Sequence, residues 1–156
     1  MNTKNLLLLV CLLGFSSLAF AGIDITYEQV DGAGSAADAG RLLASDYDCT
    51  MILYTKGNIQ NNGGLLAFLN VYGPPYDGAI DDLSTLETSY FHNLHRIVYQ
   101  GANCDCTVTV YQGTEQTGKS KDYYSSTAVT SSEQTKIDID FCWGNKAESL
   151  KIHCTV

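Results

Sequence analysis

The stretch Asp48-Cys49-Thr50-Met51-Ile52-Leu53-Tyr54 returns as Asp105-Cys106-Thr107-Val108-Thr109-Val110-Tyr111. A duplication of this kind constrains the fold more than any other feature of the chain, because each copy is one supersecondary unit that needs a partner to bury its apolar side. Both copies alternate: Cys49, Met51 and Leu53 share one side, as do Cys106, Val108 and Val110. Period-two patterning with β-branched residues predicts a strand with one face on a core. Each copy then enters a glycine-bearing turn, at Gly57 and at Gly113. Second strands are expected over 65–72, after Gly63-Gly64, and over 119–124, after Gly118. Long polar connections rich in turn-forming residues follow at 73–89 and 125–135. Third strands are expected near 90–92 and at 136–142, and fourth strands at 96–100 and 150–154. Four strands with one long connection, written twice, predict an all-β chain of two Greek-key motifs packed as a β-sandwich.

The first 21 residues carry one cation, Lys4, then an apolar run from Leu6 to Leu13, then Ala19-Phe20-Ala21. A charged n-region, a short apolar h-region and an A-x-A site predict a secretory signal peptide over 1–21, cleaved after Ala21. The run is too short to cross about 30 Å of hydrocarbon, which takes roughly 20 residues. No second long apolar run follows, so the expectation is a secreted, extracellular chain without a membrane span. Acidic residues outnumber basic ones 17 to 9, for a formal charge of −8. With no basic cluster, that field argues against nucleic acid and anionic membrane surfaces as partners.

Residues 22–47 have no counterpart in the duplication. Ile23, Ile25 and Tyr27 alternate as an edge strand would; a mobile or processed leader is the alternative. Residues 36–44 have the composition of a short helix, weakened by Gly40. Of six cysteines, Cys11 leaves with the signal, so Cys49, Cys104, Cys106, Cys142 and Cys154 remain. In an oxidising compartment most should pair, and the odd number leaves one thiol free or bridging to another chain. Cys104-Asp105-Cys106 is too tight for a zinc knuckle and has no matching second pair.

The second copy places Gly118 at a fixed spacing after Tyr111, follows it with Lys119-Ser120, and sets Ser149 just before its last strand. In these features it resembles the βγ-crystallin-like family, whose domain is two four-strand Greek keys and whose serine ties a folded hairpin down. The resemblance covers 48–156, with motif one at 48–103 and motif two at 104–156. The first copy departs from it: Tyr54 to Gly63 is longer, and Arg96 stands where the serine would fall. In the second copy Gln116 replaces an expected aromatic. The family geometry sets the first and fourth strands of a motif side by side. It therefore implies bridges Cys49–Cys104 and Cys106–Cys154, with Cys142 left as the free thiol.

Many members of that family bind calcium through an N/D-N/D-x-x-S/T-S loop in each motif. Here the matching stretch offers Asn145, Glu148 and Ser149, but Gly144 replaces an oxygen-bearing residue and Glu148 stands in for a hydroxyl. Copy one puts Arg96 in a ligand position. Calcium demands six to eight oxygens, so the expectation is no cofactor, with a degenerate calcium site at those three residues as the lesser reading.

Other pairings invite simpler explanations. His92-x-x-His95 would point to opposite faces of a strand, so surface histidines are expected rather than half a zinc site. Asp81-Asp82 falls in a Pro/Gly loop, and Asp138 and Asp140 alternate with Ile137 and Ile139 on a solvent face. Neither arrangement sets a raised-pKa acid opposite a base. There is no G-x-S-x-G elbow, and a Cys142 nucleophile served by His153 lacks a third group to orient it. No catalytic residue is expected. Among ten tyrosines, Tyr72, Tyr76, Tyr90, Tyr123 and Tyr124 lie in or beside the long connections and are candidates for a contact face. The leading expectation is a secreted, non-enzymatic binding protein whose partner is an extracellular protein or glycan, acting as a monomer or a Cys142-linked dimer. The alternatives are a secreted toxin, antimicrobial or protease inhibitor on the same fold, and an extracellular structural protein. Tyr47-Asp48-Cys49 also faintly resembles small effectors with a ribonuclease-like fold, which would need a central helix.

Overall fold

The computed structural model describes residues 22–30, 49–61, 64–73, 75–101, 105–125 and 134–155. The expected signal segment, the helix over 36–44 and Cys104 lie outside the described residues. The described residues are mostly β-strand and form two antiparallel sheets. Sheet A holds β1 (Gly22–Val30), β2 (Cys49–Thr55), β3 (Gly64–Tyr72), β5 (Leu94–Gln100) and β8 (Gln134–Asp138), in the order β1-β3-β2-β5-β8. Sheet B holds β4 (Tyr76–Ile80), β6 (Asp105–Tyr111), β7 (Ser120–Tyr124) and β9 (Ser149–Thr155), in the order β4-β9-β6-β7. The duplicated segments are β2 and β6, and each pairs with the strand that follows it and with the strand that closes its own copy. The third strand of each copy lies in the other copy's sheet: β4 joins β9, and β8 joins β5. Short helices α1 (Lys56–Asn61) and α2 (Phe141–Gly144) and a 3₁₀ turn at Leu83–Thr85 complete the elements among the described residues.

The core lies between the sheets. Met51, Leu53, Ala67, Leu69, Val71, Ile97 and Tyr99 face it from sheet A, and Val108, Val110, Tyr123, Leu150 and Ile152 from sheet B. Ile23, Ile25 and Tyr27 of β1 extend the same face, so the alternation in the N-terminal arm is that of an edge strand. A second cluster, Ile52, Tyr54, Leu66, Phe68 and Val98, lies on the opposite side of sheet A.

The third strands differ from expectation. Residues 90–92 form a turn, closed by Asn93 N–H donating to the Tyr90 carbonyl at 2.9 Å, with His92 at φ 56°. Tyr90 is fully buried because its hydroxyl joins two strands: it donates to Leu53 O at 2.9 Å and accepts from Ala67 N at 3.0 Å. The strand is instead β4, hidden in the Pro/Gly stretch, where Gly78 lets the Tyr76 ring lie across it. In the second copy β8 ends at Asp138, and Asp140 then accepts from Trp143 N and Gly144 N to start α2.

Candidate functional site

Two connections meet at Asn145, Glu148 and Ser149, the residues of the lesser, calcium-loop reading. His92 N–H donates to Ala147 O at 2.7 Å, fixing the turn before β5 against the loop before β9. His92 Nε2 lies 2.8 Å from Glu148 Oε1, and His95 Nε2 lies 3.2 Å from Asn145 Oδ1. The two histidines thus converge on one loop, although strand geometry would have parted them, because His92 precedes β5 and sits in the turn. Ser149 is fully buried and points elsewhere: its hydroxyl donates to Gly113 O at 2.6 Å and accepts from Gln116 N at 3.0 Å. Gly144 has a steric reason to be glycine, since a Cβ there would overlap the Leu94 carbonyl oxygen. The three candidates therefore face two histidines and a backbone hairpin, which does not fit an ion needing six to eight oxygens. Among the described residues no group of three His, Cys, Asp or Glu could hold a metal.

The two copies secure their first hairpins by different chemistry. In copy two the 112–119 connection doubles back with Glu115 and Gln116 at φ 54° and 56° and Gly118 at 77°, and Ser149 holds it. In copy one Arg96, opposite Tyr54 as Ser149 is opposite Tyr111, faces out and pairs with Asp138 at 2.6 Å. The hairpin there is closed by α1. Thr55 Oγ accepts from Asn58 N at 3.1 Å, while Asn58 Oδ1 accepts from Thr55 N at 2.9 Å, a reciprocal cap on the helix start.

Cys106 and Cys154 are direct partners on β6 and β9 and are joined by a disulfide. Cys49 is disulfide-bonded as well, and its expected partner Cys104 falls outside the described residues. The Cys49 and Cys106 sulfurs, which begin equivalent strands, touch at 3.4 Å in the core. Cys142 is a free, exposed thiol on α2. His153 sits instead in the middle of β9, 4.0 Å from Asp77. The acid pairs have structural partners: hydrogen bonding by the Ser84 side chain, then by its N–H to Asp82 Oδ1, lowers the Asp82 pKa, Asp138 meets Arg96, and Asp140 meets Lys121.

The five candidate tyrosines do not form one face. Tyr90 and Tyr123 belong to the core, and burial raises the pKa of both, Tyr123 to about 12 with help from the Asp140 charge. Tyr76 packs at the edge of that core, and burial, then Asp77 and Tyr72, raises its pKa. Tyr72 and Tyr124 are exposed, at 41% and 61%. The signal that separates them is strand parity: Tyr123 shares a side with the inward residues, and Tyr124 takes the other side of β7.

That other side is the outer face of sheet B, set by strand pairing rather than by nearness to the long connections. Pairing aligns Asp77, His153, Thr107 and Tyr124 in one row across four strands, and Ala79, Lys151, Thr109 and Asp122 in the next. Lys151 reaches Asp77 at 3.3 Å, and Thr109 donates to Asp122 at 2.7 Å. The face is thus a pleated polar surface with both charge signs, hydroxyls, an imidazole and one projecting aromatic ring.

No family model matches this chain, and no match is found among curated proteins or solved structures.

Proposed function

We propose that this chain is a secreted, non-enzymatic binding protein built on a βγ-crystallin-like pair of Greek keys, and that it engages an extracellular protein or glycan through the outer face of sheet B. The fold reading is supported by the strand orders: β3-β2-β5-β8 and β7-β6-β9-β4 become the same order when each strand is replaced by its counterpart in the other copy. It is further supported by the buried Ser149 hydroxyl tying the doubled-back hairpin. The expected signal segment supplies the route out of the cell.

The binding reading rests on one observation, the four-strand row Asp77–His153–Thr107–Tyr124. Tyr124, on the edge strand β7, offers a large rigid ring that loses little entropy when contacted, beside groups that can donate and accept hydrogen bonds. Elsewhere, the groups with shifted pKa have structural causes, burial for the tyrosines and a capping bond for Asp82. That favours contact over catalysis. The test is capture from the surrounding medium and from a glycan array, using the mature chain and its Tyr124→Ala and His153→Ala variants. An aromatic side chain closed off by its partner is worth at least about 1.4 kcal/mol, so Tyr124→Ala should weaken binding tenfold or more. A ligand held equally by all three proteins would remove the face from the argument. Growth inhibition or stoichiometric protease inhibition without a captured partner would favour the toxin or inhibitor reading.

A further inference from the structure

Sheet B ends at β7, and among the described residues no strand pairs with it on the side away from β6. The ladder between β6 and β7 fixes which backbone groups are left over. Gln112 N–H donates to Lys119 O at 3.0 Å and Ser125 N–H to Cys106 O at 2.9 Å, at the two ends of one continuous register. In an antiparallel pair, residues that exchange hydrogen bonds alternate with residues whose N–H and C=O point away. Lys119, Lys121, Tyr123 and Ser125 therefore turn their backbone groups to β6. Ser120, Asp122 and Tyr124 turn theirs to the open edge. A row of such groups is a template for another strand.

The same three residues carry the exposed side chains of β7, on the outer face of the sheet, while Tyr123 lies in the core. Asp122 stands two residues from Tyr124 along β7. Asp105 stands diagonally across from Tyr124, two residues before Thr107, its partner on β6, and is also exposed. Lys121 is spent on Asp140. The edge thus joins free backbone groups to a ring flanked by carboxylates, on a chain of formal charge −8. Opposite charges facing each other across strands stabilise a pair, and like charges destabilise it. That argues against a second copy: β7 paired antiparallel with itself over its full length sets Asp122 opposite Asp122.

We propose that β7 takes up an extended segment of a partner protein as a further strand of sheet B, with a lysine or arginine of that segment opposite Asp122 and another over the Tyr124 ring. Backbone bonds to Ser120, Asp122 and Tyr124 supply affinity, and the side chains beside Asp122 and Tyr124 choose the partner. This rests on reading the outer face of sheet B as the contact surface, and narrows its partner to a basic, extended protein segment.

Amide exchange in the isotope-labelled mature protein tests this, with a synthetic peptide of alternating lysine and valine as the probe. With the peptide at millimolar concentration the amides of Ser120, Asp122 and Tyr124 should exchange at least tenfold more slowly, while those of Lys121 and Tyr123 change little. A glutamate–valine peptide should have no effect on the wild type and should act on Asp122→Lys; where that variant does not fold, the wild-type pattern decides. Unchanged exchange of the three amides overturns the proposal, as does equal binding of the lysine peptide with its backbone nitrogens methylated. Tyr124-dependent capture of a glycan that leaves these amides unprotected also overturns it but keeps the outer face as the contact surface. Protection that grows with protein concentration in the absence of peptide would name a second copy as the occupant and overturn it too. A captured partner indifferent to Tyr124→Ala removes the reading of the face itself.

Discussion

Removing the Ser149 hydroxyl isolates the device that holds the second hairpin shut. In Ser149→Ala, Gly113 O loses its donor and Gln116 N–H its acceptor, both at a fully buried side chain. A buried polar group left without its partner costs about 1–3 kcal/mol. Gly113 and Gln116 are themselves only partly covered, so water recovers some of this, and a total near 2–3 kcal/mol is expected. The hairpin also holds Glu115 and Gln116 in the left-handed region, and each has a better conformation to fall into once released. With a urea slope of about 1.5 kcal/mol per M, the unfolding midpoint should drop by about 1.3–2 M. Exchange of the Gln116 amide should speed up by roughly 30- to 150-fold, at 1.36 kcal/mol per decade. Arg96→Ala is the internal control, because Arg96 holds the same register in copy one. Its carboxylate partner is 72% exposed, so the loss should stay at or below about 0.5 kcal/mol. A Ser149→Ala midpoint within about 0.3 M of wild type, with the Gln116 amide still protected, would refute the claim that this hydroxyl closes the hairpin.

Two further outcomes follow from the core. Replacing Cys106 and Cys154 together by alanine frees a loop of 48 residues, for which chain entropy gives about 4 kcal/mol; a loss of 2–4 kcal/mol in urea unfolding is expected, and an unchanged midpoint would deny the bridge a structural role. Tyrosine in an unfolded chain ionises near pH 10, whereas burial and the Asp140 charge push Tyr123 up to about 12. Between those values the native state keeps a proton that the unfolded state has lost, so stability falls as pH rises, by on the order of 2 kcal/mol from this residue. Tyr90 and Tyr99, raised in the same direction by burial, add to the decline. Tyr123→Phe should flatten its share without lowering stability at neutral pH, since the hydroxyl is buried with no bond of ordinary geometry among the described residues. Urea titrations from about pH 9 to 12 showing equal slopes for the two proteins would contradict this.

Much of the strand plan was legible because it rests on period two. The duplicated β2 and β6, the two closing strands and the edge strand at Ile23, Ile25 and Tyr27 all announce themselves by alternation. The Cys106–Cys154 bridge was legible only through the family resemblance, which set first and fourth strands side by side. β4 was not legible: Tyr76-Asp77-Gly78-Ala79-Ile80 is short and follows two prolines, and its glycine reads as a turn until the Tyr76 ring is seen lying over it. Tyr90 drew attention as a possible contact residue, yet its hydroxyl is spent on two backbone groups inside the core, a fact set by long-range packing. The histidines could be named but not placed, because their partners Glu148 and Asn145 come from the far end of the chain.

The difference between the copies explains why one sheet is available for contact and the other is not. Met51, Leu53, Val108 and Val110 occupy equivalent inward positions, and both copies keep them apolar. The outward positions diverge: Ile52 in β2 answers to Thr109 in β6, and every residue of β2 is buried while β6 alternates strictly. A strand apolar on both sides needs a layer on both sides, so the centre of sheet A, at β2 and β3, is an interior layer. Sheet B, with threonine, lysine, histidine and tyrosine outward, needs cover on one side only. Had the chain bound its partner through sheet A, the outward positions of β2 and β3 would have to tolerate water in the free protein, and Ile52, Leu66 and Phe68 at 0% exposure do not. Polar residues on the outer face of sheet B leave it open to solvent, which is what the proposed contact requires.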